Sequence, residues 1–265
     1  MRNLDDNWLD IGKNLPAGQK VRVQCCGQDR SCLVSHNERG YSRFCFRCKA
    51  NEFVPHGIRR ISDIVRHKNE MAFMGQNKVA LPSDYTLDVP IHAMEWYLRV
   101  GISPELARSY GIGYTPSMDR VVLPVREDGE LSAVQMRALR DTQKPKYLNP
   151  SGPKVEAAVF TSGPPTGITV VVEDILSAIK VGRVAHATSI LGTTMTDQRA
   201  WKIARDNHTA IIWMDNDAAG RRGKLRAMNQ LSMQGVRVYE VRTEDDPKTY
   251  NLDEIKEHLR SMKKC

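Results

Sequence analysis

Ile211-Ile212-Trp213-Met214-Asp215-Asn216-Asp217-Ala218-Ala219-Gly220 is the stretch that decides how this chain is read. An apolar run ends abruptly in two carboxylates one residue apart, and the residues behind them suit a helix. Upstream, Val170-Val171-Val172-Glu173 ends in the same way. Strands are expected at 168–172, 187–191, 210–214 and 236–241, with helices at about 174–183, 196–207, 218–234 and 252–261. Apolar runs bounded by turns and separated by helices argue for a mostly parallel sheet covered on both faces. In such a sheet, residues just past the carboxyl ends of the strands line the binding crevice. Glu173, Asp215 and Asp217 are therefore expected to converge.

Three carboxylates in one crevice repel unless a cation sits among them. A divalent ion with oxygen ligands, Mg²⁺ first and Mn²⁺ next, suits that place, and Mg²⁺ usually brings phosphates with it. Asp245-Asp246 follows the next strand and extends the acidic cluster. Taken singly, Asp174 and Asp217 read more simply as helix N-caps, but the repeated strand ending weakens that reading. Gly220-Arg221-Arg222-Gly223-Lys224-Leu225 lacks the spacing and the Ser or Thr of a phosphate-binding P-loop, and it falls inside a helix.

Toward the N-terminus the character changes. Strands at 120–125 and 132–137 flank the hairpin signal Asp128-Gly129, and a loop rich in Lys and Pro runs over 141–154. Two short helices are expected over 92–110, split by Gly101-Ile102-Ser103-Pro104 with Ser103 as N-cap. Residues 55–78 read as a linker with one amphipathic helix whose stripe is Ile58, Ile61, Ile64 and Val65.

Five of the six cysteines fall between positions 25 and 48, which favours metal binding over disulfides; Cys265 stands apart. Cys45-x-x-Cys48 is half of a tetrahedral zinc site. Cys25, Cys26, Cys32 and His36 are candidates for the rest. A turn at 37–40 pairs His36 with Tyr41 and Cys32 with Cys45, which leaves His36 roughly 13 Å from the Cys45 end. Cys32 with one of Cys25 and Cys26 is the preferred completion.

The chain has 265 residues and a net charge of +8, with no apolar stretch long enough for a membrane span. Nor does its start read as a secretory leader, so a cytoplasmic protein is expected. Between Gln19 and Lys68 eleven basic residues face four acids, pointing to a nucleic-acid backbone. Arg39, Tyr41, Arg43, Phe44, Phe46 and Arg47 mix cations and rings on one hairpin, as single-strand binding needs.

In this order the motifs resemble those of the DnaG-type primases of bacteria and phages: a zinc ribbon, a basic subdomain and a Toprim fold, α/β within an α+β whole. The resemblance rests on Asp119-Arg120-Val121-Val122-Leu123-Pro124-Val125, on Arg137 nine residues before Lys146-Tyr147-Leu148-Asn149-Pro150, on Glu173, on Asp215-x-Asp217 and on Asp246-Pro247-Lys248. It divides the chain into a ribbon (1–54), a linker (55–90), a basic subdomain (91–167), a Toprim subdomain (168–245) and a C-terminal motif and tail (246–265). The pattern departs from the family at Glu173-Asp174-Ile175-Leu176-Ser177, where Glu-Gly-x-x-Asp is usual.

What the resemblance implies is synthesis of short RNA primers from ribonucleoside triphosphates on single-stranded DNA. Glu173, Asp215, Asp217, Asp246 and Lys146 would be catalytic; Arg120, Arg137, Lys144, Lys146, Arg43 and Arg47 would bind nucleotide or DNA. It further implies structural zinc, catalytic Mg²⁺ or Mn²⁺, and a stand-alone phage-type enzyme working in the host cytoplasm with a separate replicative helicase and DNA polymerase. A Toprim nuclease using the same acids and a non-catalytic zinc-ribbon adaptor are the alternatives.

Overall fold

The computed structural model describes residues 8–27, 29–37, 40–55, 61–75, 79–150 and 153–264. Arg39, Ile58 and Cys265, named above, lie outside these residues, as do Glu38, Arg59 and Arg60. The chain divides into two compact units, 1–64 and 65–265.

The smaller unit holds helix α1 (Trp8–Asn14) and a four-stranded antiparallel sheet of β1 (Lys20–Val23), β2 (Cys32–Asn37), β3 (Gly40–Cys45) and β4 (Asn51–Pro55), in that order. The β2–β3 register pairs Cys32 with Cys45 and His36 with Tyr41, as the turn spacing predicts. α1 was not anticipated. It brings the buried Trp8 ring to 5.6 Å from the Arg43 guanidinium.

Helix α2 (Ile61–Met74) crosses the division between the units. Its expected apolar stripe is exposed at Ile61, Ile64 and Val65, and the side it buries carries Glu70 and Phe73. An ion pair and an aromatic ring, not the stripe, fasten the helix.

In the larger unit, helices α3 (Ile91–Leu98) and α4 (Pro104–Ser109) precede an antiparallel sheet ordered β5 (Gly113–Thr115), β6 (Arg120–Glu127), β7 (Glu130–Ala138), β8 (Tyr147–Leu148). Ser103 caps α4 by accepting from Leu106 N. Both faces of β6 are buried. Val121, Leu123 and Val125 join the main core, and Val122 packs with Met118, Val134, Met136, Leu148 and Phe73 of α2.

Next come α5 (Pro153–Ala157), β9 (Phe160–Ser162), β10 (Ile168–Val172), α6 (Ile175–Val181), β11 (Ala187–Ser189), α7 (Asp197–Asp206), β12 (Thr209–Ile212), α8 (Ala218–Met233), β13 (Arg237–Glu240), α9 (Leu252–Arg260) and β14 (Lys263–Lys264). Their sheet is ordered β14-β13-β12-β10-β11-β9. The four inner strands are parallel and the two outermost antiparallel. Alternation along β10 explains the double covering: Val170 and Val172 face the core that includes α6, and Val171 faces the core beneath α7 and α8. No helix among the described residues is long and apolar enough to cross a membrane.

Candidate active site and cysteine cluster

β10 and β12 are neighbours, and each delivers its terminal carboxylates to the same end of the sheet. Backbone hydrogen bonds then fix those acids. Glu173 Oε1 accepts from Asp215 N at 3.1 Å, tying the two strand ends together. Asp217 is the N-cap of α8 and accepts from Gly220 N at 2.6 Å; Asp174 is the N-cap of α6 and accepts from Ser177 N at 3.0 Å and Ser177 Oγ at 2.7 Å. Asp217 thus caps a helix and borders the candidate site at once. Gly220 is required by close approach, since a Cβ there would run into the Asp215 carbonyl oxygen and stand 2.5 Å from Glu173 Oε1.

Burial and crowding raise the proton affinity of Glu173 and Asp215. Glu173 is pushed up to about 7 by burial, then by the charges of Asp215 and Asp217. Asp215 is likewise pushed up to about 7 by burial and by Asp246 and Asp174, against the pull of Lys248. Its Oδ1 is buried with no hydrogen-bond partner. Asp246 joins the cluster, whereas Asp245 is exposed. A buried, unsatisfied carboxylate oxygen among crowded acids suits an oxygen-ligated divalent cation, which Glu173, Asp215 and Asp217 could hold, although among the described residues only the cysteine cluster already gathers its ligand atoms within 4.8 Å.

The basic sheet reaches the same region. Arg137 stacks over Trp96 and Tyr147, at 5.7 and 5.3 Å, and burial raises Tyr147 to about 12, with Asp174 and Asp215 adding to the rise. Lys144 and Lys146 are exposed. A groove of about 550 Å³ beside Asp215 is lined by Asn216, Arg221, Lys224 and Arg242 among others.

Arg120 does not project to the mouth of the site. It is wholly buried, its Nε 2.8 Å from Glu70 Oε1 and its Nη1 3.3 Å from Met136 O. Position 120 opens β6, both of whose faces are covered, so no side chain from there reaches solvent. Arg43 is also buried, ion-paired with Glu52 across the β3–β4 ladder and covered by Trp8. Only Arg47 of this expected pair is exposed, 3.4 Å from Asp29. Phe46 is exposed too, with Arg22 5.1 Å over its ring.

In the ribbon, Cys25, Cys26, Cys45 and Cys48 bring their sulfurs within 4.8 Å of one another, with Cys25–Cys48 at 3.9 Å and Cys26–Cys45 at 3.8 Å. A tetrahedral zinc with bonds of about 2.3 Å places its sulfurs about 3.8 Å apart. Cys32, preferred on spacing, is outside the group and fully buried, although it lies opposite Cys45. Cys25 and Cys26 sit in a bend, where adjacent side chains need not point to opposite faces as they do in a strand, so both can turn inward. His36 is held elsewhere, its Nδ1 2.6 Å from Leu15 O. Backbone N–H groups of the Cys48 knuckle and the Ser31 hydroxyl bring Cys45 down to about 6, near the thiolate a metal needs.

A family model described as Toprim-like matches residues 170–251, the segment from β10 to the acid-bearing turn after β13. That segment is a Toprim-like domain. Around it the chain is homologous to DNA primases. It is 33% identical to the DNA primase of Halalkalibacterium halodurans over 157 residues, covering 54% of this chain and 26% of that protein. To the DNA primase of Aquifex aeolicus it is 25% identical over 227 residues, covering 64% of this chain and 44% of that one. The chain thus spans less than half the length of both relatives. The zinc-binding and RNA polymerase domains of the Aquifex aeolicus primase superpose with a TM-score of 0.59 at 18% identity, over 98% of this chain and 84% of that one. The DnaG primase catalytic domain bound to single-stranded DNA gives 0.57 at 17%, over 77% and 80%. The Toprim-like domain therefore sits within a DnaG primase core fold that carries an N-terminal cysteine cluster.

Lys248 was the residue most underrated by sequence reasoning. In the sequence it stands only two residues after Asp246, yet its Nζ lies 2.6 Å from Asp246, 2.9 Å from Asp174 and 4.0 Å from Asp215. The one available signal was its place on the Asp-Pro turn behind a strand of the acidic sheet.

Proposed function

We propose that this chain is the catalytic part of a primase, making short RNA primers from ribonucleoside triphosphates on single-stranded DNA. The observation that carries this is the delivery of Glu173 and Asp215 to adjacent ends of β10 and β12, joined by the Asp215 N–Glu173 Oε1 bond, with Asp217 at the start of the helix that follows and with Arg137 and Tyr147 of the basic sheet nearby. Glu173, Asp215 and Asp217 would hold Mg²⁺ or Mn²⁺, which when bound neutralises phosphate charge and favours release of pyrophosphate. Asp246 is linked to Asp215 through Lys248, whose Nζ lies 2.6 Å from Asp246 and 4.0 Å from Asp215. The stacked Arg137 guanidinium offers its remaining donors to a phosphate. Lys144 and Lys146, on the exposed loop before β8, supply charge along a template path.

In the ribbon, Cys25, Cys26, Cys45 and Cys48 would hold a structural zinc. Arg47, with the Arg22–Phe46 stack, offers cations and a ring to single-stranded DNA. The presence of a replicative helicase and a DNA polymerase as partners, in the cytoplasm of a bacterial or phage-infected cell, follows from this reading.

The test is incubation with single-stranded DNA of mixed sequence, Mg²⁺ and labelled ribonucleotides, with Asp215→Asn as control. Short labelled RNAs absent from the variant support the proposal. Shortening of the DNA by the wild type assigns the acids to a nuclease. DNA binding unaffected by Asp215→Asn, with no product from either protein, assigns the chain to a binding adaptor.

A further inference from the structure

A lysine amine bonded within an acid cluster changes what else that cluster can hold. Lys248 lies on the short turn Pro247–Thr249, and its side chain is largely buried. Its Nζ donates to Asp246 Oδ2 at 2.6 Å and to Asp174 Oδ2 at 2.9 Å, and lies 4.0 Å from Asp215 Oδ2. Asp174 is locked by Ser177 N and Ser177 Oγ, so this charge is fixed in place from both ends. Three acids of the cluster thus share one permanent, monovalent cation. The groups that Lys248 does not touch are Asp215 Oδ1, without a hydrogen-bond partner, Glu173, tied to Asp215 N, and Asp217.

We propose that Lys248 is a built-in counter-ion that occupies the place of a second divalent cation and confines the acid cluster to a single one. Paired-ion sites hold their metals roughly 3.5–4 Å apart, and an ammonium among Asp174, Asp215 and Asp246 repels a metal that would settle there. The amine supplies charge without open coordination positions. It balances the acids, but it cannot take a phosphate or water oxygen as a ligand. This inference rests on the reading of Glu173, Asp215 and Asp217 as a metal site.

The experiment is a Mn²⁺ titration of the whole zinc-loaded chain, counting free Mn²⁺ by electron paramagnetic resonance. It is run on the wild type, Lys248→Gln, Lys248→Arg and Asp217→Asn, with circular dichroism confirming the fold. Gln keeps a donor toward Asp246 while removing the charge; Arg keeps the charge. The wild type is expected to bind one Mn²⁺, lost in Asp217→Asn. Lys248→Gln is expected to bind a second ion and to hold the first roughly tenfold more tightly, while Lys248→Arg stays at one. A single ion of unchanged affinity in Lys248→Gln, two ions in the wild type, or two in Lys248→Arg overturns the counter-ion role and leaves the metal site standing. Binding by Lys248→Gln alone upholds the counter-ion role and removes the wild-type metal reading. No binding by any of the proteins removes both.

Discussion

The buried pair of Arg120 and Glu70 invites a perturbation whose size can be worked out beforehand. Arg120 is fully buried and Glu70 nearly so, and the pair joins α2 to the first residue of β6. Glu70→Met strands a guanidinium that keeps only the 3.3 Å bond to Met136 O, and Arg120 already has one buried nitrogen, Nη2, without a partner. Removing one member of such a pair costs about 3–5 kcal/mol. Arg120→Met should cost less, because Glu70 keeps Gln143 Nε2 at 2.9 Å and His67 at 3.9 Å. In the double variant Glu70→Met/Arg120→Met neither charge is left uncompensated, and stability should return to within about 1 kcal/mol of wild type. Urea denaturation followed by far-ultraviolet circular dichroism reads these differences. With a slope of about 2–3 kcal/mol/M, Glu70→Met lowers the midpoint by about 1–2.5 M. Template binding by the double variant should be unchanged, since Arg120 does not reach solvent. If Glu70→Met costs under 1 kcal/mol, or the folded double variant loses DNA, the structural role given to Arg120 is wrong.

The remaining predictions concern the two proposed metal sites. Glu173 and Asp215 are raised to about 7 from ordinary values near 4, so their protonated forms favour the fold. That contribution is complete below about pH 4 and disappears as pH rises through 7; metal-depleted protein should lose about 2–4 kcal/mol across this window, and a flat pH profile would count against the crowding described. Mg²⁺ binding at pH 6.5 should release about one to two protons, measured by calorimetry in buffers of different ionisation enthalpy. Gly220→Ala should destabilise the chain by about 2 kcal/mol and, on the proposed function, reduce primer synthesis at least about a hundredfold, because the added carbon displaces Glu173; wild-type rates would refute this. Cys45→Ser should remove the zinc and the cooperative unfolding of the smaller unit, whereas Cys32→Ala should retain one zinc per chain by metal analysis.

The acidic sheet was readable because its signals are local and redundant. Apolar runs of four or five residues ending in a carboxylate gave β10 and β12, and Asp174, Asp217 and Ser103 announced the helices that they cap. The ladder that pairs Cys32 with Cys45 followed from one turn. What escaped depends on burial by distant segments. Arg43 and Arg120 look like surface cations in the sequence, and only α1 over β3 and Glu70 of α2 beside β6 make them interior. Cys32 lost its place to Cys26 because a bend, not a strand, carries the adjacent thiols. Lys248 meets Asp174 across 74 residues, a separation over which no spacing rule operates.

The antiparallel outer strands of the large sheet bear on how this protein behaves at high concentration. A row of parallel inner strands would leave unpaired amides along each margin, an invitation to pair with another molecule. β9 closes one margin with three residues and β14 closes the other with two, each too short to template a further strand. Trimming the chain at residue 261 would uncover β13 along its paired residues Tyr239 and Glu240, and such a shortened protein should self-associate more readily than the full sequence.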